Sequence, residues 1–376
     1  MTKRENFKRI IQHENPDHVM IDLGGCPQSR METGCEKRLL EFLGYSSREK
    51  DASPGSKRTD ENLLKYFDVE VRSVGGMIKP VKSLYRKISD NEYIDHWGIR
   101  KRYTGLYWDI IKSPLRGADL DDIKAYPWPD GNDIDYALIE GYAQEAKNLY
   151  DNTDFVICAE HPVYGIFEMG CWLFGFDDFL MKLALKPECV IYFFDRFLEY
   201  QKKVISTYYS ALGPYIHYTS SGDDFATQNG PFISPEMFEE LIAPYFKERI
   251  SYTKSFTSAA YLHHSCGSVI KLLPQLIDCG VDILNPMQPR ARNMDFENIK
   301  RQFGDKIVFH GGLDTQETLP FLNHDEIEAE VHRLMNTLGV DGGYIFAAAH
   351  NIQEDVPPQN IITMFEAAKK YGKQNR

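Results

Sequence analysis

"AAYLHHSCGSVIKLLPQLIDCGVDILNPMQ", residues 259–288, is the stretch of the chain that decides the fold. Two short runs, 259–264 and 281–286, enclose an amphipathic segment, 269–280, that ends on Gly280, a typical helix stop. A helix of this length returns the chain across a sheet, so the two flanking strands are expected to run parallel and to be buried on both faces. The stretch therefore predicts one strand–helix–strand unit of an α/β protein.

The same alternation runs through the second half of the chain, where helical patterns such as 235–256 separate short β-branched or aromatic runs. These runs are 154–160, 215–220, 259–264, 281–286, 306–312 and 343–350. An open doubly wound sheet and a closed (β/α)8 barrel both fit, but no glycine-rich dinucleotide loop follows an early strand. We expect a single-domain (β/α)8 TIM barrel, with an N-terminal extension and irregular capping segments such as 126–133. Its remaining strands are expected near 17–23 and 67–74.

Polar side chains follow each of the six runs. In a barrel these positions share one rim and face one cavity, where barrel enzymes hold their active sites. The coincidence favours the barrel over the open sheet. In chain order the residues are Glu160 and His161; Ser221, Asp223 and Asp224; His264 and Cys266; Asn285 and Gln288; His310 and Asp314; and His350, Asn351 and Gln353.

His264 and Cys266 form the pattern with the most specific chemistry. Side chains two apart on a strand point the same way, so the imidazole and the thiolate can bind one ion. A thiol nucleophile and the polar end of an ordinary buried strand are the alternatives. A third ligand would come from a neighbouring strand end, where His350 is the leading candidate. His263 faces the opposite way and is expected to be structural.

Asp223 and Asp224 follow a glycine at another strand end. One of them is expected to act as a general base or as a hydrogen-bond acceptor for substrate. The alternative is a turn in which aspartate has no catalytic role. Adjacent carboxylates cannot both point inward without an electrostatic penalty, so we expect only one to function. Asp314 has the same two interpretations, a ligand contact or a helix cap.

The composition excludes several classes of protein. The chain has 376 residues and a formal net charge of −12, and its basic residues are interspersed with acidic ones along helical segments, so no nucleic-acid partner is expected. Neither a signal core nor an apolar run long enough to span a membrane occurs. The seven cysteines are scattered and odd in number, which fits a reducing cytoplasm.

Several segments together resemble the uroporphyrinogen decarboxylase superfamily, specifically its corrinoid-linked methyltransferase branch. They are "RENFKRIIQHENPDHVMIDLGG" (4–25), "GDDFATQNGPFISPEMFEELIAPYFK" (222–247), "HHSCGSVIKLLPQLIDCGVDILNPMQ" (263–288), "HGGLDTQETLP" (310–320) and "GGYIFAAAHNIQEDVPPQNIITMFEAAKKYG" (342–372). The resemblance covers essentially the whole chain and implies a (β/α)8 barrel. The decarboxylases carry an arginine-rich N-terminal motif for the porphyrinogen carboxylates, whereas 22–34 here offers only Arg30.

The resemblance also implies a zinc site. His264 and Cys266 match two ligands of the methyltransferase branch, and His350 stands where the thiol-methylating members have cysteine. The substitution removes one thiolate charge and leaves the ion more electrophilic, which suits cleavage of a methyl ether. We therefore expect zinc-dependent transfer of a methyl group from an O-methyl substrate, such as an aryl methyl ether, to a corrinoid (cobalamin) on a separate protein.

Roles for the remaining rim residues follow from this expectation. Catalysis is assigned to Asp223, Asp224, His161 and Glu168, and substrate binding to Asn285, Gln288, His310 and Asn351. The expected partners are a small-molecule methyl donor and a corrinoid protein, and a homodimer is a candidate assembly. Methyl transfer from a corrinoid protein to a thiol such as coenzyme M, a metal-free decarboxylase or lyase, and a non-enzymatic corrinoid-protein-binding module are the alternatives.

Overall fold

The structure, a computed structural model, describes residues 1–46, 58–105 and 107–373. Eight parallel strands form a nearly closed barrel in the order β1–β14–β13–β12–β11–β8–β7–β2. All eight overlap the segments that the sequence predicts as strands, and the (β/α)8 barrel is confirmed. The strands are β1 (Met20–Ile21), β2 (Val71–Gly75), β3 (Arg86–Ser89), β4 (Glu92–Ile94), β5 (Arg100–Tyr103), β6 (Trp108–Lys112), β7 (Val156–Glu160), β8 (Tyr218–Gly222), β9 (Ala226–Thr227), β10 (Gly230–Pro231), β11 (Ala260–His264), β12 (Ile283–Met287), β13 (Val308–Leu313) and β14 (Tyr344–Ala348).

Helices cover the outside of the barrel and bury their apolar faces against the strands. Residues 235–254 are helical as predicted, but a π-helical turn, Phe238–Ile242, divides them. The segment 269–280 contains a shorter helix than predicted, and the chain turns at Gly280 with φ +99°. The helices are α1 (Lys3–Ile11), α2 (Thr33–Phe42), α3 (Glu61–Tyr66), α4 (Leu120–Ala125), α5 (Tyr136–Asn152), α6 (Ile166–Phe174), α7 (Phe176–Leu185), α8 (Pro187–Leu212), α9 (Pro235–Met237), α10 (Ala243–Lys254), α11 (Leu273–Asp278), α12 (Phe296–Phe303), α13 (Thr318–Phe321), α14 (His324–Thr337) and α15 (Pro358–Tyr371).

The interior of the barrel is layered from apolar to polar. At the end where the strands begin, each strand contributes apolar side chains to one cluster, and Phe7 and Ile10 of α1 close it. Strand side chains alternate between faces, so the next inward position lies two residues further along each strand. There the side chains become polar, and this step places the reactive groups at the carboxyl-end rim. The pairs include Met20 and Asp22, Leu262 and His264, Ile283 and Asn285, and Val308 and His310.

A four-stranded antiparallel sheet, β3–β4–β5–β6, stands between β2 and α4 and was not predicted as strands. We call it the cap sheet. Its segment, 79–116, contains nine Lys or Arg and four Asp or Glu, although the whole chain has a net charge of −12. This segment is therefore positively charged within an acidic chain.

No helix in the described parts of the chain is both long and apolar enough to cross a bilayer.

Candidate active site

His264, Cys266 and His350 lie together at the carboxyl-end rim of the barrel. His264 ends β11, Cys266 lies two residues beyond, and His350 follows β14. One ligand atom from each residue lies within 4.8 Å of the other two, and His264 Nε2 is 3.3 Å from Cys266 Sγ. The structure thus brings together the three side chains that the sequence predicts as metal ligands, although they are up to 86 positions apart.

Burial sets the protonation of these three groups. It lowers the pKa of His264 and, together with the nearby His264, lowers that of His350 to about 4. Burial beside the carboxyl groups of Asp224 and Glu168 raises the pKa of the Cys266 thiol to about 12. At neutral pH both imidazoles are therefore uncharged, and a bound cation would be needed to displace the thiol proton.

A buried hydrogen-bonded series runs from His264 into the barrel. His264 Nδ1 lies 2.6 Å from Asn285 Oδ1, Asn285 Nδ2 lies 2.7 Å from His310 Nδ1, and His310 Nε2 lies 2.7 Å from Asp22 Oδ2. Asn285 and His310 are fully buried, and Asp22 is 1% exposed. The four residues come from β12, β13, β11 and the end of β1, so the barrel itself sets their spacing.

When both histidines are neutral, each hydrogen bond of the series has only one possible donor and one possible acceptor. The Asp22 carboxylate only accepts, so His310 Nε2–H donates to it, and His310 Nδ1 accepts from the Asn285 amide. The Asn285 carbonyl oxygen then accepts from His264 Nδ1–H. This leaves the lone pair of His264 on Nε2, the nitrogen that faces Cys266 Sγ. The series therefore selects the tautomer in which His264 can bind a metal.

Cys266 is positioned by two neighbours. Its backbone N–H donates to Asp224 Oδ1 at 2.7 Å, and Gln288 Nε2 lies 3.6 Å from its Sγ. Gln288 Oε1 accepts from the N–H of Gly267 at 2.7 Å and from Gln228 at 3.0 Å, which fixes the amide. Gln288, predicted to contact substrate, thus lies beside the sulfur atom and directs an N–H at it.

A cleft of about 420 Å³ reaches Asp224 from the protein surface. Glu168 lines it, and burial, reinforced by the carboxyl groups of Asp223 and Asp224, raises the pKa of Glu168 well above its usual value. Ile110 of the cap sheet and Arg116 complete the outer part. The remaining walls are largely aromatic, and are formed by Phe167, Trp172, Phe176 and Phe232.

The two adjacent carboxylates have different surroundings. Asp223 is fully buried, and its oxygens accept the backbone N–H groups of Phe167 at 3.0 Å and Glu168 at 2.8 Å, in the first turn of α6. Both oxygens are used to fix this helix terminus, so Asp223 holds Glu168 in place instead of acting on substrate. Asp224 is the member of the pair that lines the cleft.

His161 does not join this group. It is 4% exposed, and its ring nitrogens lie 3.0 Å from Arg249 Nη2 and 3.3 Å from both Val163 O and Thr253 Oγ1. These contacts hold it between the end of β7 and α10. Burial beside the Arg249 guanidinium lowers its pKa well below the usual value. In this structure His161 packs away from the ligands, and its expected catalytic role stays a prediction.

Three residues expected to bind substrate are used in internal hydrogen bonds. Asn285 and His310 are fully buried in the hydrogen-bonded series, where they contact His264 and Asp22, and their substrate-binding role stays a prediction. Asn351 Oδ1 accepts the backbone N–H of Arg30 at 3.0 Å and ties the loop after β1 to the rim. Asp314 accepts the N–H groups of residues 316–318, in the turn that leads into α13.

Sequence reasoning missed the contribution of β1. Asp22, Cys26 and His310 place ligand-type atoms within 4.8 Å of one another. Asp22 Oδ2 already accepts from His310 and, at 2.8 Å, from Ser29 Oγ, while burial raises the pKa of Cys26 to about 12. We therefore interpret this second group as the buried end of the series, not as another metal site. The signal in the sequence was the polar residue directly after an apolar strand.

Zinc fits the group at the rim by the chemistry of its donors. Two neutral imidazoles and one sulfur are preferred zinc ligands, and three protein ligands leave a coordination position for substrate, as in catalytic zinc sites. The hydrogen bond from His264 Nδ1 to Asn285 is the support that metal-binding histidines commonly have.

Comparisons with known proteins agree with this architecture. The methyltransferase from Methanosarcina mazei superposes with a TM-score of 0.69 over 99% of both chains at 14% sequence identity, a similarity of fold. Uroporphyrinogen decarboxylase from Wigglesworthia glossinidia brevipalpis is 32% identical over 88 residues, 22% of this chain and 24% of that protein. The enzyme of the same name from Chlorobium phaeobacteroides is 24% identical over 144 residues, 37% of this chain and 38% of that protein. These alignments span less than two fifths of the curated relatives.

The model of the uroporphyrinogen decarboxylase family matches residues 173–371, just over half of the chain, including β8 and β11–β14 with His264, Cys266 and His350. The resemblance drawn from the sequence motifs is confirmed, and the chain belongs to the uroporphyrinogen decarboxylase family.

Proposed function

We propose that this protein is a zinc-dependent methyltransferase that moves a methyl group from an O-methyl substrate to the cobalt of a corrinoid on a separate protein. One observation carries the proposal: His264, Cys266 and His350 converge beside Asp224, which lies 3.6 Å from His264 Nε2 and lines a cleft together with Glu168. The donor set suits an ion with one position open to substrate.

The charge of the donor set supports ether cleavage. With Cys266 as a thiolate, the three ligands carry a single negative charge, since both imidazoles are neutral. When bound, zinc supplies Lewis-acid stabilisation of the oxygen that leaves the methyl group. This set carries less negative charge than a set with a second thiolate, so an ion that it held would polarise a bound oxygen more strongly.

Glu168 supplies the proton in this proposal. Its pKa is raised well above the usual value by burial and by the adjacent carboxyl groups, which favours the protonated form. A neutral carboxyl group in the cleft can donate to the departing alkoxide or phenoxide. Asp223 holds the backbone of Glu168, and Asp224 lines the same cleft, where it can orient the oxygen.

The walls of the cleft support an aromatic methyl ether as donor. Phe167 and Phe232 stack with ring centroids 6.1 Å apart and planes at 21°, and Phe176 meets Phe232 edge-on at 4.8 Å. A volume of about 420 Å³ suits a small substituted ring.

A porphyrinogen substrate is not favoured. It would bring eight carboxylates to a rim whose loop, 22–34, supplies only Arg30, and the Arg30 guanidinium is already paired with Glu160. Glu168 and Asp224 add acidic groups to the cleft. The acidic groups of the cleft would therefore repel a polyanion but not a neutral ether.

Metal analysis and methyl transfer test the proposal together. Purified protein is expected to contain stoichiometric zinc and to demethylate 2-methoxyphenol with free cob(I)alamin as acceptor. Cys266→Ser is expected to lose both properties. The matched control, Cys279→Ser, changes a buried thiol remote from the rim and is expected to retain them. Absence of zinc, or methylation of coenzyme M from methylcobalamin without ether cleavage, would overturn it.

A further inference from the structure

A second cavity lies beneath the cap sheet. It has a volume of about 560 Å³ and is enclosed between the inner face of the sheet and the loops above β2 and β7. We call it the cap chamber. Its walls include seven Phe, Tyr or Trp side chains, six of which are Tyr85, Tyr93, Trp97, Trp108, Tyr164 and Tyr200.

The register of the cap sheet places its ring-bearing residues on one face. Tyr93 pairs with Lys87 and Lys101, and side chains of paired residues share a face, so all three point into the chamber. Trp108 meets Tyr93 with centroids 4.7 Å apart and planes at 62°. On the opposite wall Trp97 meets Tyr200 edge-on at 4.8 Å. Edge-to-face pairs of this kind leave ring faces available to a flat guest.

The charges at the chamber favour an anion. Lys87 is paired with Asp90 at 2.8 Å, and Lys101 with Asp95 at 3.3 Å. Lys79 also lines the chamber and is exposed, and it has no carboxylate partner among the described residues. The paired charges cancel, so Lys79 leaves a net positive charge at the mouth, on a segment that is itself basic.

The His96 ring adds to the same wall. It stacks on Tyr85 with centroids 5.3 Å apart and planes at 24°. The imidazole therefore extends the flat surface that the tyrosine and tryptophan rings form around the chamber.

The cap chamber is distinct from the cleft that Glu168 and Asp224 line. Tyr164 lines the chamber and Trp172 lines the cleft, and the two rings meet edge-on with centroids 5.1 Å apart. None of His264, Cys266 and His350 lines the chamber. A ligand in the chamber would therefore bind whether or not the metal site is filled.

We propose that the cap chamber is a binding site for a planar aromatic anion, whose ring lies between the aromatic walls and whose anionic group pairs with Lys79. This site is independent of the proposed methyl transfer, because it shares no residue with the metal ligands.

The probe is 2-naphthoate, titrated by calorimetry and by quenching of tryptophan fluorescence in metal-free full-length protein. Saturable binding is expected, with weaker binding of the non-aromatic anion cyclohexanecarboxylate. Trp108→Ala is expected to weaken binding about tenfold, the usual effect of losing one stacking ring. Ile111→Ala is the matched control, since it lies on the same strand and is similarly exposed, 40% against 42%, but does not line the chamber.

Charge recognition is tested with the neutral analogue 2-naphthamide. Lys79→Gln is expected to weaken binding of 2-naphthoate several-fold and to leave binding of 2-naphthamide unchanged, whereas Lys82→Gln should affect neither. Phe232→Ala, which alters the cleft, should leave 2-naphthoate binding intact. The proposal is overturned if 2-naphthoate does not bind, if Trp108→Ala and Ile111→Ala behave alike, or if Phe232→Ala abolishes binding.

Discussion

Replacing Asn285 by leucine tests the claim that the buried series prepares His264 for metal. The substitution is close in volume and removes two hydrogen bonds, of 2.6 Å to His264 and 2.7 Å to His310. Without an acceptor at Nδ1, the proton of a neutral His264 is free to move to Nε2, the nitrogen that must bind the metal. We expect the affinity for zinc to fall about 10- to 100-fold, the usual effect of losing a supporting partner.

The same change also destabilises the fold, and the size of that effect follows from burial. Each unpaired buried nitrogen costs about 1–3 kcal/mol, so Asn285→Leu is expected to lower the free energy of unfolding by about 2–6 kcal/mol. Asn360→Leu is the matched control. Asn360 is 6% exposed, and its amide also makes two hydrogen bonds, to the carbonyl oxygens of Leu319 at 2.8 Å and Leu322 at 3.2 Å, remote from the rim.

The assay is a competitive zinc titration against a chromophoric chelator, paired with urea unfolding in the absence of metal. Asn285→Leu and Asn360→Leu are expected to lose similar stability, while only Asn285→Leu loses zinc affinity. Wild-type zinc affinity in a folded Asn285→Leu variant would refute the role given to the series. Equal loss of zinc affinity in both variants would show a general effect of destabilisation.

Three further predictions concern the proposed proton donor Glu168, the first turn of α6 and the pH dependence of stability. Glu168→Gln should lower the rate of methyl transfer by about 10²- to 10⁴-fold at unchanged zinc content, with a smaller effect for ethers of more acidic phenols, as measured by steady-state kinetics. Asp223→Ala should leave two amides of α6 unpaired and lower the free energy of unfolding by about 2 kcal/mol or more, as measured by urea unfolding. Burial lowers the pKa of His217 to about 4, while its Nδ1 accepts the N–H of Ile157. As the pH falls, His217 is protonated near pH 6.5 in the unfolded chain but only near pH 4 in the folded protein. Its contribution to the free energy of unfolding is therefore complete above pH 6.5 and falls by up to about 3 kcal/mol toward pH 4. His217→Gln should flatten this pH dependence in urea titrations of metal-free protein.

The barrel could be predicted because its strands obey local rules. Each is a short apolar run, buried on both faces, and separated from the next by enough chain for a helix. The same rule predicted the rim, since polar residues at the carboxyl ends of neighbouring strands must meet. His264, Cys266 and His350 were therefore predictable as neighbours before any distance was known.

The direction of each side chain was less predictable than its height in the barrel. Asn285 and His310 were expected at the cleft because they end strands, and they do lie at that height. Their strand positions point inward, so they lie in the closed interior of the barrel beside His264. Asp22 joins them from a strand that is 288 positions away from His310, a contact that only closure of the barrel creates.

The cap sheet escaped prediction for a different physical reason. Its strands are only three to five residues long and mix charged residues with single aromatic or aliphatic ones, so no long apolar run marks them. The net charge of −12 for the whole chain gives no indication that this segment is positively charged. The exposed strand β6 can nevertheless retain Trp108, because that ring packs against Tyr93 and Tyr103 on the chamber side of the sheet. A sheet stabilised by ring contacts over a cavity can be recognised only from those contacts in three dimensions, because the linear sequence shows only a mixture of lysine and tyrosine.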